Sequence, residues 1–233
     1  ITEKRRKSSH YQEDIYSLQN RVDYLMKRDG QKVLLVTSTE PSEGKSTVAV
    51  NLALAMAQRG EKVLLIDGDI RKPDINRRFS VTQSGKSMMN VLNRNAKVEE
   101  AAVYLENEGL YILGCDKPIA DPIAVISSRK MKNLIEQARE FADIVILDTP
   151  PAGIVVDAAN YYDYADGVLM VIRQDWANQS RILDAVQDLP GQGGKLLGCV
   201  MNMVKTGFAS YGYGYSSYGY GYRYGKYNQY KGK

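Results

Sequence analysis

The chain has 233 residues, 44% hydrophobic and 25% charged, with a formal net charge of +4. That is enough apolar chain for one sizeable α/β domain with extensions, and the small basic excess is that of a mixed solvated surface, so no nucleic-acid partner is expected. No run approaches the roughly 18 apolar residues of a membrane span, no signal peptide is visible, and Cys115 and Cys199 make neither a disulfide framework nor a zinc site, which points to a reducing cytosol.

Residues 1–31 read as a polar helical lead-in. Ile15, Leu18, Val22 and Leu25 recur at helical spacing, Gly30 is a plausible stop, and Lys4, Arg5, Arg6 and Lys7 form a basic cluster ahead of them. The span 32–206 then alternates apolar runs with helical patterns. Val33–Val36, Val63–Ile66, Leu110–Leu113, Ile144–Leu147, Val168–Ile172 and Leu196–Met201 read as strands. Helices are expected over about Lys45–Gln58, Ser84–Leu92, Val98–Leu105, Ser128–Phe141, 157–164 and 178–189, with Met131, Leu134, Ile135 and Ala138 sharing one face. Apolar runs without alternation, separated by helices, predict buried parallel strands in a doubly wound, mostly parallel α/β sheet, which binds ligands beyond the carboxyl ends of its strands.

From residue 207 to 233 the composition changes to Tyr, Gly and Ser. Nine of the 17 tyrosines stand here: Tyr211, Tyr213, Tyr215, Tyr218, Tyr220, Tyr222, Tyr224, Tyr227 and Tyr230. Residues 208–233 contain no Val, Ile, Leu or Met, so the segment cannot bury enough area to offset its ordering entropy and is expected to be disordered.

Three strand ends carry chemistry. After the first comes PSEGKST, Pro41–Thr47, which supplies the last part of the phosphate-loop pattern G-x-x-x-x-G-K-[ST]. Thr39 replaces its first glycine, and Ser42 stands where related loops often have a second. The residues that hold nucleotide in this reading are Ser42, Glu43, Gly44, Lys45, Ser46 and Thr47. Gly44 lets backbone N–H groups approach phosphate at the positive end of the next helix, Lys45 neutralises phosphate oxygens, and the Ser46 hydroxyl suits Mg²⁺. The second strand ends in VLLIDGDIRKP, with Asp67 and Asp69, and another ends in IVILDTPP, with Asp148. Lone aspartates often cap loops. Carboxylates at two strand ends beside a phosphate loop fit a Mg–nucleotide centre.

These motifs, with ADGVLMVIR (Ala165–Arg173) and the tyrosine cluster, resemble the bacterial protein-tyrosine kinases of capsular and exopolysaccharide biosynthesis, which have a P-loop NTPase-type fold. The resemblance covers about residues 8–233 and implies ATP and Mg²⁺ as cofactors. It implies that Lys45 and Ser46 hold phosphate and metal, that Asp69 and Asp148 order the metal, and that Asp67 is the base for a tyrosine hydroxyl. Arg71 is either a phosphate contact or a scaffold ion pair. The nine tail tyrosines become phosphoacceptors, modified between subunits. Implied partners are other copies of the chain, a cognate tyrosine phosphatase, and a membrane polysaccharide co-polymerase, fused or separate, that keeps the kinase at the inner face of the membrane. Many members carry Glu-x-x-Arg-x-x-Arg on the first helix for ring assembly. Here Tyr16 and Gln19 stand in place of the arginines after Glu13, so an octamer is not carried over. The alternative reading is a nucleotide-switched scaffold ATPase of the partition and positioning type. Those proteins often have an extra lysine early in the loop, which Ser38–Glu43 lacks.

Overall fold

Residues 9–81, 87–153, 157–188 and 195–205 are described in the computed structural model. The tyrosine segment Tyr211–Tyr230, the basic cluster Lys4–Lys7 and the expected boundary near residue 207 lie outside them. In chain order the elements are α1 (Ser9–Arg28), β1 (Val33–Ser38), α2 (Lys45–Ala57), β2 (Val63–Asp67), α3 (Ile75–Arg78), α4 (Met88–Leu92), α5 (Val98–Ala101), β3 (Val103–Leu105), β4 (Leu110–Leu113), α6 (Pro122–Ile126), α7 (Arg129–Phe141), β5 (Ile144–Asp148), α8 (Asp157–Tyr162), β6 (Gly167–Arg173), α9 (Gln179–Gln187) and β7 (Lys195–Asn202). Among the described residues no helix is long and apolar enough to cross a membrane.

The strands form one sheet in the order β3-β4-β2-β5-β1-β6-β7, parallel except for the β3–β4 pair. Each face buries its own core. Val33, Leu35, Leu64, Ile66, Val145 and Leu147 point into one, closed mainly by α4 to α8. Leu34, Val36, Val63, Leu65 and Ile146 point into the other, under α2 and α1. This two-sided burial is why the strands read as unbroken apolar runs. It also explains the Ala- and Leu-rich α2, which is sandwiched between the sheet and α1 through Val22 and Met26.

Local chemistry sets the helix starts. Ser128 Oγ accepts the Met131 N–H at the start of α7, whose Met131, Leu134, Ile135 and Ala138 face the core as predicted. Asp121 caps α6 at Ala124, with Pro122 in the first turn. The sequence pattern missed α6 and α3. It also ran a helix through Val98–Leu105, where the chain makes only the single turn α5 and then β3, antiparallel to β4. A hairpin turn is responsible. Gly109 (φ +66°) returns its N–H to Leu105 O, and Tyr104 stacks on its cross-strand partner Tyr111 at 4.7 Å.

One polar clamp fixes the amino ends of the central strands. Asp166, just before β6, accepts the Lys32 and Val33 N–H groups at 2.8 Å, and both of its oxygens accept the Arg139 guanidinium at 2.6 and 2.8 Å. Burial pushes its carboxyl up, but Arg139 and the two N–H groups outweigh that and hold it below the usual carboxylate range. Asp166→Ala is expected to cost about 2–4 kcal/mol, because it strands a guanidinium and two N–H groups together. Because the folded pKa is depressed, this stability is present above the ordinary carboxylate pKa and is lost as pH falls through the folded one. Chemical denaturation at pH 7 and pH 3 should show the wild-type advantage shrinking in acid.

Candidate active site

The loop between β1 and α2 is shaped by two left-handed residues, Ser42 (φ +67°) and Gly44 (φ +92°). The second is the N-cap of α2, so the free N–H groups of the first helical turn open toward the carboxyl end of the sheet. A glycine is required at Gly44 twice over. Its φ disfavours any side chain, and a Cβ there would stand 2.2 Å from Asn202 Nδ2, which donates to Glu43 O. Gly44→Ala is expected to cost about 2–3 kcal/mol from the backbone conformation and the displaced hydrogen bond together. Adding Asn202→Ala should recover the clash but not the conformational part. A thermal-denaturation double-mutant cycle with no coupling between the two would rule this contact out.

Glu43 is fully buried. One carboxylate oxygen accepts the Glu40 N–H at 2.6 Å and the other the Arg173 N–H at 3.2 Å, so its side chain braces the loop against the end of β6. Of the residues expected at phosphate, Glu43 therefore offers its backbone only. Ser42 and Thr47 lie exposed, and Lys45 and Ser46 lie half-buried. Trp176 and Arg173 support the loop from outside. The indole Nε1 donates to Pro41 O at 3.0 Å, and the guanidinium lies 4.0 Å over the indole ring.

Parallel register brings the acidic strand ends to this loop. Asp67 of β2 pairs directly with Asp148 of β5, and Asp148 with Val36 of β1. Close packing maintains the junction, since Gly68 donates to Asp148 O at 2.7 Å and a Cβ at Gly68 would stand 2.8 Å from that oxygen. Lys45 Nζ lies 3.4 Å from Asp148 Oδ1, 3.5 Å from Asp69 Oδ2 and 3.1 Å from Ser46 Oγ. Asp148 is buried, which raises its pKa, with Lys45 and the Ser46 hydroxyl opposing. Asp69 folds back on the next turn, where its Oδ1 accepts the Lys72 N–H. Asp67 Oδ2 accepts the N–H groups of Asp74 and Ile75, both at 2.9 Å, at the start of α3. Burial, the two N–H groups notwithstanding, and the charges of Asp148 and Asp69 push its carboxyl up to about 7.

Three oxygen donors thus converge on one cation, the Lys45 ammonium. That donor set, two carboxylates and a hydroxyl, fits a hard divalent ion. Among the described residues no group of three or more His, Cys, Asp or Glu is arranged to hold a metal, so such an ion would rely on phosphate and water for its remaining ligands.

Arg71 lies on the exposed turn after β2. Tyr161 and Tyr162 are fully buried, and Tyr164 donates to Ile126 O at 2.6 Å. They pack beside the sheet, and Cys115 is buried with its Sγ on Lys117 O. Tyr16 and Gln19 tie α1 to its own domain. The Tyr16 hydroxyl donates to Gln58 at the end of α2, and Gln19 is 1% exposed. Sequence reasoning missed Asn202 and the bracing role of Glu43. The first was detectable by the strand-end rule applied to Asp67 and Asp148, since Asn202 ends β7. Nothing in the sequence signals the second.

A family model described as an AAA domain matches residues 31–190. The chain is 37% identical over 183 residues to the tyrosine-protein kinase YwqD of Bacillus subtilis (strain 168), covering 78% of this chain and 77% of that one. It is 33% identical over 181 residues to the tyrosine-protein kinase CpsD of Streptococcus agalactiae serotype III (strain NEM316), covering 78% of each. Its fold superposes on the kinase domain of Escherichia coli tyrosine kinase ETK with a TM-score of 0.77 at 26% identity, over 86% of this chain and 79% of that one.

Proposed function

The chain belongs to the P-loop tyrosine-protein kinases of capsular and exopolysaccharide biosynthesis in bacteria, and from that premise we propose that it phosphorylates its own tyrosine cluster, Tyr211–Tyr230, between subunits. The observation that carries the reading is the convergence of Lys45, Ser46, Asp69 and Asp148 beside the loop. In this reading the Gly44–Thr47 N–H groups would hold the phosphates of ATP. Lys45 would turn from the carboxylates to the phosphate oxygens, and Ser46, Asp69 and Asp148 would hold Mg²⁺. The metal, when bound, neutralises charge on the phosphate chain.

Asp67 acts as base through Oδ1, since Oδ2 is committed to the two N–H groups. The phenolic oxygen of an incoming tyrosine forms the new bond to the γ-phosphorus as the bond to ADP breaks, and the phenol proton passes to Asp67. A phenol with a pKa near ~10 needs such help, and a carboxyl near 7 is well matched to neutral pH.

Intersubunit transfer follows from presentation. Nine tyrosines on one segment are hard to bring in turn to one fixed centre in the same subunit, whereas a neighbour offers its segment at high effective concentration. Each phosphate adds about −1.5 to −2 charge, so full modification takes the segment to roughly −10 or beyond and drives neighbours apart. That swing is the proposed lever on polysaccharide polymerisation and export. A membrane activator, fused or separate, would hold the kinase at the inner face of the membrane, and a tyrosine phosphatase would reset it.

The test mixes two chains in Mg-ATP and follows intact mass. One carries Lys45→Met with the cluster present, and the other is active but lacks residues 207–233. Phosphate mapping to Tyr211–Tyr230 of the Lys45→Met chain supports transfer between subunits. An unmodified Lys45→Met chain beside a self-modifying wild type would refute it.

A further inference from the structure

A cleft lined by basic side chains lies away from the phosphate loop. Arg94, Lys97, Lys130, Asn133, Gln137 and Glu100 line a cleft of about 300 Å³ between α4, α5 and α7. Its balance of charge is positive. Glu100 is committed to the Lys97 N–H at 2.8 Å, Lys97 lies 3.8 Å from Glu99 on the exposed rim, and Arg94 and Lys130 form no ion pair among the described residues. The Gln137 carboxamide oxygen accepts the Val98 N–H, which leaves its amide nitrogen as a donor beside that of Asn133.

Two placements here are unfavourable locally. Arg94 sits at φ +60°, just past the end of α4, with its N–H on Val91 O and the next N–H on Asn90 O. That is the left-handed closing position of a helix, where glycine is the usual residue. Lys130 stands in the first turn of α7, which has no acidic residue, so its charge opposes the positive end of the helix. Neither choice helps the fold, and both set a cation at the same cleft. Choices that break a local rule without gain to the fold are expected at functional sites.

We propose that this cleft binds phosphotyrosine of the chain's own C-terminal segment, Tyr211–Tyr230, a reading that rests on the phosphorylation proposed above. The cleft is at the small end of ligand pockets, roughly 300–1,000 Å³, so it suits one phosphorylated side chain rather than a nucleotide with its base. Guanidinium, ammonium and amide donors match a phosphate's three oxygens and its charge, while an unmodified phenol offers only a ring face and one neutral oxygen. Reach is sufficient. The tyrosines lie 6 to 25 residues past Lys205, about 20–85 Å of extended chain, and β7 is five strand spacings, about 24 Å, from β4 on the side of the sheet that carries the cleft. A modified tail captured there, on its own subunit or a neighbour, is held off the phosphate loop. The reaction's product thereby clears the site for the next tyrosine.

The test uses a synthetic peptide of residues 211–230, phosphorylated on all nine tyrosines, and its unmodified twin. Fluorescence anisotropy reads their binding to the full chain carrying Lys45→Met, which does not modify its own tail. Because the peptide is made synthetically, the outcome is independent of whether the kinase modifies its tail, which intact mass reports separately. The phosphopeptide should bind at least about tenfold more tightly than its twin, and Arg94→Gly and Lys130→Gln should each weaken it about tenfold or more. Arg94→Gly is the sharper variant, since glycine relieves the positive φ and so keeps the fold. On the Lys45 background of the wild type it should leave the initial rate of phosphate transfer unchanged. Equal binding of the phosphopeptide to parent and variants would overturn the assignment. So would displacement of the peptide by polygalacturonate but not by free phosphotyrosine, which would identify a polysaccharide surface instead.

Discussion

Lys45→Met is expected to abolish tyrosine phosphorylation, with a fall in rate of at least about 10³-fold, the scale set by removing a preorganised charge from a developing phosphoryl transition state. The variant keeps the length and apolar stem of the side chain, so the loss is of charge alone. A second effect reports on the geometry. In the wild type one ammonium serves Asp148 at 3.4 Å and Asp69 at 3.5 Å. Without it a buried carboxylate faces another with no cation between them, a loss of about 2–4 kcal/mol when both are ionised. Asp148 is already raised by burial, and losing Lys45 raises it further. The unfolded chain then releases its proton at lower pH than the folded one. The deficit of the variant is therefore small in acid and grows as pH rises through the folded pKa. Mg²⁺ without nucleotide should raise the melting temperature of the variant more than that of the wild type, because the three oxygen donors no longer serve the lysine. Equal Mg²⁺ shifts in both proteins would mean that these oxygens do not form the metal site.

How much of this was legible in the sequence follows from what each part depends on. The parallel core was readable because strands such as Val33–Val36 and Ile144–Leu147 are buried on both faces and carry no alternation. The acidic strand ends were readable because the chemistry sits at a fixed place in such folds, beyond the carboxyl ends. β3 was not, because a three-residue edge strand after a single helical turn has the same local composition as a longer helix. Only the pairing of Tyr104 with Tyr111 separates the two, and that contact forms through the hairpin. The bracing role of the Glu43 side chain was not legible for a related reason. In sequence Glu43 is one more residue of a phosphate loop, and its burial depends on Arg173, 130 residues later, arriving within reach of its carboxylate. Motifs report the residues that touch ligand, whereas the residues that hold a loop in shape depend on long-range register.

Asp67→Asn separates chemistry from scaffold, because the two predict opposite signs. Asparagine keeps an oxygen for the Asp74 and Ile75 N–H groups and removes only the ionisation. The wild-type carboxyl titrates near 4 in the unfolded chain and about 7 in the folded one. Between those values the folded state holds a proton that the unfolded state has lost, so wild-type stability falls as pH rises across that window and then levels. Three pH units correspond to about 4 kcal/mol at most. The variant escapes this penalty. It should match the wild type near pH 4 and become the more stable protein by a few kcal/mol at pH 8, which denaturation midpoints across that range will show. Activity should move the other way. A general base contributes about 10²–10⁴-fold, so phosphate transfer should fall by that factor, and the wild-type rise of kcat/KM with pH should flatten. If the variant were less stable at pH 8 and equally active, Asp67 would be a cap for α3 and nothing more. A variant that gains stability while losing catalysis identifies a buried charge kept, against the interest of the fold, for the proton it removes.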